Sequence, residues 1–355
     1  MKTNVRAAVA LLATGFLFLL PHALRAWHTN ANANANASRS LSASVTYRVD
    51  APPASQQQQP ANQPPFTLKS VGRNIWAAID VGGHAGSNAG FVVGDDGVAV
   101  IDTFEHVEAA RALLAAIREK TNLPVKFVIN THYHLDHVAG NGVFAEAGAV
   151  VMAQRNVRAW IHTENLKFFG KNIKPEDKAM VEGLFAPEVV YDSGVTLYLG
   201  SREIRVKVFP GHTGGDSVVM ISDPQVNDVV FCGDLFWRHS LPNLIDANTK
   251  DWIETLKAFT QGARPGTVFV PGHGDVGDAS DVEAFQGYLT DLRAMVAGPV
   301  KEGKSGDDLV AAVMPQLTQK YGEWGIFKYF SKANILDAAA ELRGDKRVPQ
   351  PVTAQ

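Results

Sequence analysis

Three observations predict an α/β fold. Short apolar runs rich in Val, Ile and Phe, at 98–101, 125–129, 204–208 and 229–231, have the length of buried strands. Between them lie stretches whose apolar residues recur at helical spacing, as in residues 105–120, where Val107, Ala110, Leu113, Leu114 and Ile117 share one face. Strand-like and helix-like segments alternate along the chain, the pattern of sheets covered by helices.

The 355 residues, 46% hydrophobic and 19% charged, supply a sizeable core. A formal net charge of -3 gives no footing for nucleic acid, and the expected partner is a small-molecule substrate. Nothing in the sequence fixes an oligomeric state. The single cysteine, Cys232, excludes an internal disulfide and a cysteine-rich structural zinc site. In the apolar run 229–232 it reads as a small buried hydrophobe, placed by alternation on the same side as Asp234.

Lys2 and Arg6 precede an apolar run, residues 7–20, that Pro21 stops. A positive start and a short apolar region describe a secretory signal rather than a spanning helix. We assign it to residues 1–37, where the Ala/Asn alternation of 30–37 offers several Ala-x-Ala cleavage points, with an uncleaved anchor as the alternative. The expected location is periplasmic or secreted, and only this segment is expected to meet a membrane. Residues 38–65, rich in Ser, Gln, Asn and Pro, carry too little apolar surface to offset the entropy of ordering and read as a disordered linker.

The catalytic domain is expected over 66–300, followed by a C-terminal helical extension and tail over 301–355. Ile75, Ala77 and Ile79 alternate, and the runs 91–93 and 98–102 flank Asp95-Asp96-Gly97 as a hairpin. The amphipathic helix 105–120 leads to the strand 125–129, then a helix near 140–147 and a short strand at 150–152. Residues 155–188 mix helical and polar sequence around Trp160, Phe168, Phe169 and Phe185, an aromatic set that packs helix to sheet. Strands follow at 195–199, 204–208, 218–221, 229–231 and 267–270, and helices at 251–263, 279–297 and 307–321.

The polar residues begin where strands end. After the run 125–129 come Thr131-His132-Tyr133-His134-Leu135-Asp136-His137, with four candidate metal ligands, His132, His134, Asp136 and His137, in six positions. Imidazole nitrogen and carboxylate oxygen are the donors that catalytic zinc takes, and a loop splays such neighbours toward two ions. Further candidates stand at glycine-flanked strand exits: His212 in Gly211-His212-Thr213-Gly214-Gly215-Asp216, Asp234 in Cys232-Gly233-Asp234, and His273 in Pro271-Gly272-His273-Gly274-Asp275.

This set resembles the metallo-β-lactamase-fold hydrolase superfamily, whose signature is His-x-His-x-Asp-His followed by His, Asp and His. The resemblance covers roughly residues 66–297. It implies a four-layer αβ/βα sandwich and two Zn2+ per chain, one held by His132, His134 and His212, the other by Asp136, His137 and His273, with Asp234 bridging. It also implies that Asp102 supports the zinc loop without binding metal, and that Asp136 is catalytic, orienting the nucleophile.

The expected function is an exported di-zinc hydrolase in which hydroxide generated at the metals cleaves a carbonyl-centred bond, either a β-lactam amide or an ester, lactone or thioester. Secreted β-lactamases of the superfamily commonly carry Cys or Ser where this chain has Asp234, whereas the bridging Asp is typical of glyoxalase II-like hydrolases and lactonases. The alternative is therefore a thioesterase or lactonase without β-lactamase activity. A non-enzymatic zinc-binding protein is the distant alternative, and a flavodiiron-type redox role needs iron and usually an attached flavin domain, for which the sequence shows no motif. No Gly-x-Ser-x-Gly elbow occurs, which argues against a serine hydrolase. Trp237, Arg238 and His239, directly after the Asp234 strand, and His84 in the Gly-rich loop are candidate substrate contacts, Arg238 through its planar fork.

Overall fold

The computed structural model describes residues 64–352. The signal segment and nearly all of the linker read from the sequence lie outside them.

The first half of the chain builds β1 (Phe66–Gly72), β2 (Ile75–Asp80), β3 (Ala89–Val93), β4 (Val98–Ile101), α1 (Val107–Lys120), β5 (Val125–Ile129), α2 (Leu135–Val138), α3 (Asn141–Glu146), β6 (Val150–Gln154), α4 (Arg155–Trp160), a 3-10 turn (Glu164–Phe169), α5 (Pro175–Glu182) and β7 (Val189–Tyr191). The second half builds β8 (Gly194–Leu199), β9 (Arg202–Val208), β10 (Ser217–Ile221), β11 (Val229–Trp237), α6 (Thr249–Gly262), β12 (Val268–His273), α7 (Ala279–Lys301), α8 (Gly306–Tyr321) and α9 (Phe327–Arg343).

Strands β1 to β7 form one sheet in sequence order, antiparallel through β4 and parallel from β4 to β7. The other sheet runs β12-β11-β10-β9-β8, with β11 and β12 parallel. Each sheet is apolar on both faces, so each needs two covers. The inner faces meet in a core of Ile75, Val92, Ile101 and Ile129 from one sheet with Val206, Val219, Phe231 and Val270 from the other. Outside the first sheet, Leu113 and Ile117 of α1 and Phe144 of α3 pack against Phe91 and Val100. Outside the second, Trp252, Phe259, Phe285 and Leu289 of α6 and α7 cover Val218, Val230 and Phe269. That is the four-layer αβ/βα sandwich.

Helices α8 and α9 continue this last core through Leu309, Val313, Leu317, Phe330, Ile335 and Ala339. The extension expected over 301–355 therefore holds, beyond the helix read at 307–321, a second full helix, α9. Two strands, β1 of seven residues and β7 of three, extend the first sheet at its edges beyond the sequence expectation. Cys232 lies with Val230 in the core under the helices, as alternation with Val229 and Phe231 on the inner face requires, and its burial pushes the thiol pKa up.

Candidate metal centre

The cluster forms where strand ends from both sheets meet. Strand β5 finishes at Ile129, and the chain passes through His132, Tyr133 and His134 before turning into α2, so Asp136 and His137 sit on a one-turn helix rather than an open loop. The loop between β9 and β10 supplies His212, and Asp234 and His273 stand within the last residues of β11 and β12. Two glycines make the approach close enough. At Gly233, where φ is +50°, a Cβ would come within 2.4 Å of Thr131 Oγ1, and at Gly272 it would fall 1.9 Å from Asp234 Oδ1.

Donor atoms fall into two groups, His132, His134, His212 and Asp234, and then Asp136, His137 and His273, each with its ligand atoms within 4.8 Å of one another. Asp234 faces both groups. Its Oδ2 lies 3.2 Å from His212 Nε2 and 3.7 Å from His132 Nε2, while its Oδ1 lies 3.1 Å from His137 Nε2 and 3.4 Å from His273 Nε2. Asp136 Oδ2 is 3.2 Å from His273 Nε2.

These atoms suit cations better than one another. His132 Nε2, His137 Nε2, His273 Nε2 and Asp234 Oδ1 are buried and make no hydrogen bond among the described residues, a cost native proteins seldom accept without a ligand. His134 Nδ1 and His212 Nε2, 3.0 Å apart, point two ring nitrogens into the same space.

The outer atoms of the ligands are braced, which fixes the tautomers. Thr131 Oγ1 donates to Asp102 Oδ2 at 2.7 Å and lies 3.1 Å from His132 Nδ1, so that nitrogen carries its proton and leaves Nε2 for metal. His137 Nδ1 lies 2.8 Å from Asp102 Oδ2, and Thr131 N donates to Asp102 Oδ1 at 2.7 Å. Asp102 holds this position at a φ of +55°, just past β4. Burial pushes its carboxyl up, against the pull of His137 and Thr131. Asn88 Nδ2 donates to Pro271 O at 2.9 Å and Gly274 O at 2.8 Å, pinning the turn around His273.

Charge follows the same division. Burial and the neighbouring His137 hold His132 well below the usual imidazole range, and burial pushes His212 down to about 3. Burial also opposes the charge on His273 and His137, but Asp234 and Asp136 outweigh it, raising His273 to about 9 and His137 well above its ordinary value. The carboxyl of Asp234 is held low despite its burial by His273 and His137.

Sequence reasoning did not single out Asp246. It is buried, accepts from the Tyr133 hydroxyl and from Lys167 Nζ at 2.6 and 2.7 Å, and lies 3.3 Å from His134 Nε2. Burial opposes its ionisation, but the His134 contact and the Lys167 ammonium hold its carboxyl low. An Asp among Leu244, Ile245 and Ala247 was the available signal. Phe168, half-buried on the 3-10 turn, sets its ring 5.0 Å from that of His134, while Trp160, Phe169 and Phe185 join apolar clusters.

Of the candidate substrate contacts, Trp237 is buried and stacks on His273 with ring centroids 3.9 Å apart. The Nε of Arg238 lies 3.0 Å from Asp281 Oδ2 of α7, and His239, at a φ of +50°, is exposed near Trp324. His84 is half-buried in the loop between β2 and β3.

The family model for the metallo-beta-lactamase superfamily matches residues 82–273, which contain every residue of both donor groups. The chain belongs to this superfamily. Among superfamily relatives, it is 22% identical over 60% of its length, and 78% of the relative, to a metallo-beta-lactamase type 2 of Bacillus sp. strain 170. It is 27% identical over 47% of its length, and 56% of the relative, to a hydroxyacylglutathione hydrolase of Gloeobacter violaceus. A solved metallo-beta-lactamase from Pontibacter korlensis shares the superfamily fold with a TM-score of 0.52 at 24% identity, covering 63% of this chain and 99% of that one. The chain spans only about half the length of several curated relatives, 55%, 51% and 56%.

Proposed function

We propose that the chain is a di-zinc hydrolase that cleaves a carbonyl-centred ester, thioester or lactone. The observation that carries this reading is Asp234, whose two carboxylate oxygens each face one donor group. Nitrogen and oxygen donors in this number favour zinc. Zinc bound there supplies a Lewis acid for the carbonyl and lowers the pKa of water.

The chain's own residues do the rest. Asp136 is the most open carboxylate of the cluster, its side chain 24% exposed beside His273 at 18%. It orients the attacking water by accepting a hydrogen bond from it. Asp102 and Asp246 keep His137 and His134 in the tautomers that turn Nε2 and Nδ1 inward. Phe168 forms an apolar wall over His134 for the substrate's hydrocarbon part.

Similarity to the Bacillus metallo-beta-lactamase over 60% of the chain favours a second reading, β-lactam hydrolysis. The cations disfavour it. β-Lactam antibiotics present a carboxylate, yet Arg238 is engaged by Asp281, and Lys167 by Asp246. An exported location, for which the apolar run at 7–20 is the support, favours this second reading over a cytoplasmic thioesterase.

The test is a substrate panel of aryl ester, thioester, lactone and chromogenic cephalosporin, with and without chelator, on protein of measured metal content. We expect chelator-sensitive turnover of an ester, thioester or lactone at a kcat/KM at least tenfold above that for the cephalosporin. The reverse ranking establishes the β-lactam reading, and turnover indifferent to chelator sinks both.

A further inference from the structure

The segment that carries Asp246 is anchored from the C-terminal side at successive points. Asn334 of α9, fully buried, donates through Nδ2 to Pro242 O at 2.9 Å. Glu341, near the end of the same helix, accepts from Thr249 N and Oγ1 at 2.9 and 2.8 Å and from Lys250 N at 3.2 Å. Past the helix, Lys346 Nζ donates to Leu244 O and to Ala247 O, both at 2.5 Å. Those two carbonyls flank Asp246 on either side. The C-terminal residues reach a second ligand loop as well. Val352 N donates to Asn156 Oδ1 at 2.8 Å, and Asn156 Nδ2 donates to Gly214 O at 2.7 Å, two residues beyond His212.

An ammonium shared by two carbonyls fixes the backbone between them, because charge-assisted hydrogen bonds are stronger than neutral ones. Moving Asp246 by even a fraction of an ångström would loosen its contact to His134 Nε2, and with it the aim of His134 Nδ1 toward His212. The second donor group depends on other supports, Asp102 behind His137 and Asn88 and Trp237 around His273. The two groups therefore differ in what holds them. Only the first is tied to the C-terminal segment by these contacts.

We propose that Lys346 is a positioning residue for the first metal group, and that the segment following α9 is a strap which sets Asp246 and through it His134. This rests on the di-metal reading above. Removing the partner that braces a ligand costs about 10- to 100-fold in metal affinity. Lys346 acts one step further out, so its effect belongs at the low end, about tenfold.

The experiment strips the full chain of metal and titrates zinc against a chromogenic chelator for wild type, Lys346→Met, Lys346→Arg and Asp102→Asn. Wild type is expected to bind two ions in distinguishable steps. Lys346→Met should weaken one step about tenfold and leave the other unchanged, Lys346→Arg should restore most of that loss, and Asp102→Asn, which touches His137 directly and His132 through Thr131, should weaken both steps. A general loss of stability would not select one step or be rescued by Arg. Should Lys346→Met fail to fold, Lys346→Gln, which keeps a donor without the charge, decides the same question. Lys346 variants that bind both ions as wild type does, or weaken both steps equally, overturn the proposal. Wild type that takes up no zinc instead overturns the di-metal reading itself.

Discussion

Asp102 isolates the contribution of a single charge, because its backbone sits at a φ of +55°. Asn is among the few residues that tolerate this region, so Asp102→Asn leaves the turn intact while removing the carboxylate from His137 Nδ1 and Thr131. The expected result is a loss of about 10- to 100-fold in metal affinity, felt through His137 directly and through His132 by way of Thr131. Unchanged affinity in a chelator competition would show that Thr131 alone sets the loop. Asp337 makes a different prediction. Burial, opposed by Lys346 and reinforced by Asp246 and Glu341, pushes its carboxyl up to about 6 from 3.8. The folded state thus holds this proton more tightly than the unfolded chain, and stability falls as pH rises from about 4 through about 6. Asp337→Asn should therefore raise the melting temperature at pH 7.5 and not at pH 4. The gain corresponds to about 2 kcal/mol once partial exposure is allowed for. An equal shift at both pH values would assign the effect to packing.

At the scale of elements, legibility in the sequence followed length and locality. The strand runs, the hairpin at Asp95-Asp96-Gly97 and the amphipathic α1 were readable because each carries its own period. Helix α2, four residues long, is too short for periodicity to register. Asp246 was invisible because its partner His134 lies 112 residues away, a proximity that only the tertiary fold creates. Arg238 shows the same limit. Sequence places it beside Asp234, and the structure commits it to Asp281, which belongs to the capping box of α7. Arg238→Ala should accordingly cost about 1 kcal/mol, since the pair is partly exposed, and leave KM for anionic substrates within about twofold. A raised KM at unchanged melting temperature would return Arg238 to the cleft.

For the molecule as a whole, the donor groups join the two halves of the sandwich. His132, His134, Asp136 and His137 follow β5 of the first sheet, while His212, Asp234 and His273 come from the second. Without a cation, two buried carboxylates (Asp102 and Asp234), the partly exposed Asp136 and the inward ring nitrogens must share one small volume. With cations, the same charges attract, and binding that favours the folded state adds stability by mass action. At free zinc about 1,000-fold above each dissociation constant, the gain is about 4 kcal/mol per site. For a domain of this size that corresponds to a rise in melting temperature on the order of 10 °C. The apolar cores on both outer faces and between the sheets contain no ligand, so the stripped protein should still fold. We therefore expect chelation to lower the melting temperature by about this amount while far-UV circular dichroism is retained, and added zinc to restore it. Calorimetry on protein whose metal content is measured before and after chelation checks this. If the metal leaves and the transition does not move, the ions do not clamp the two halves.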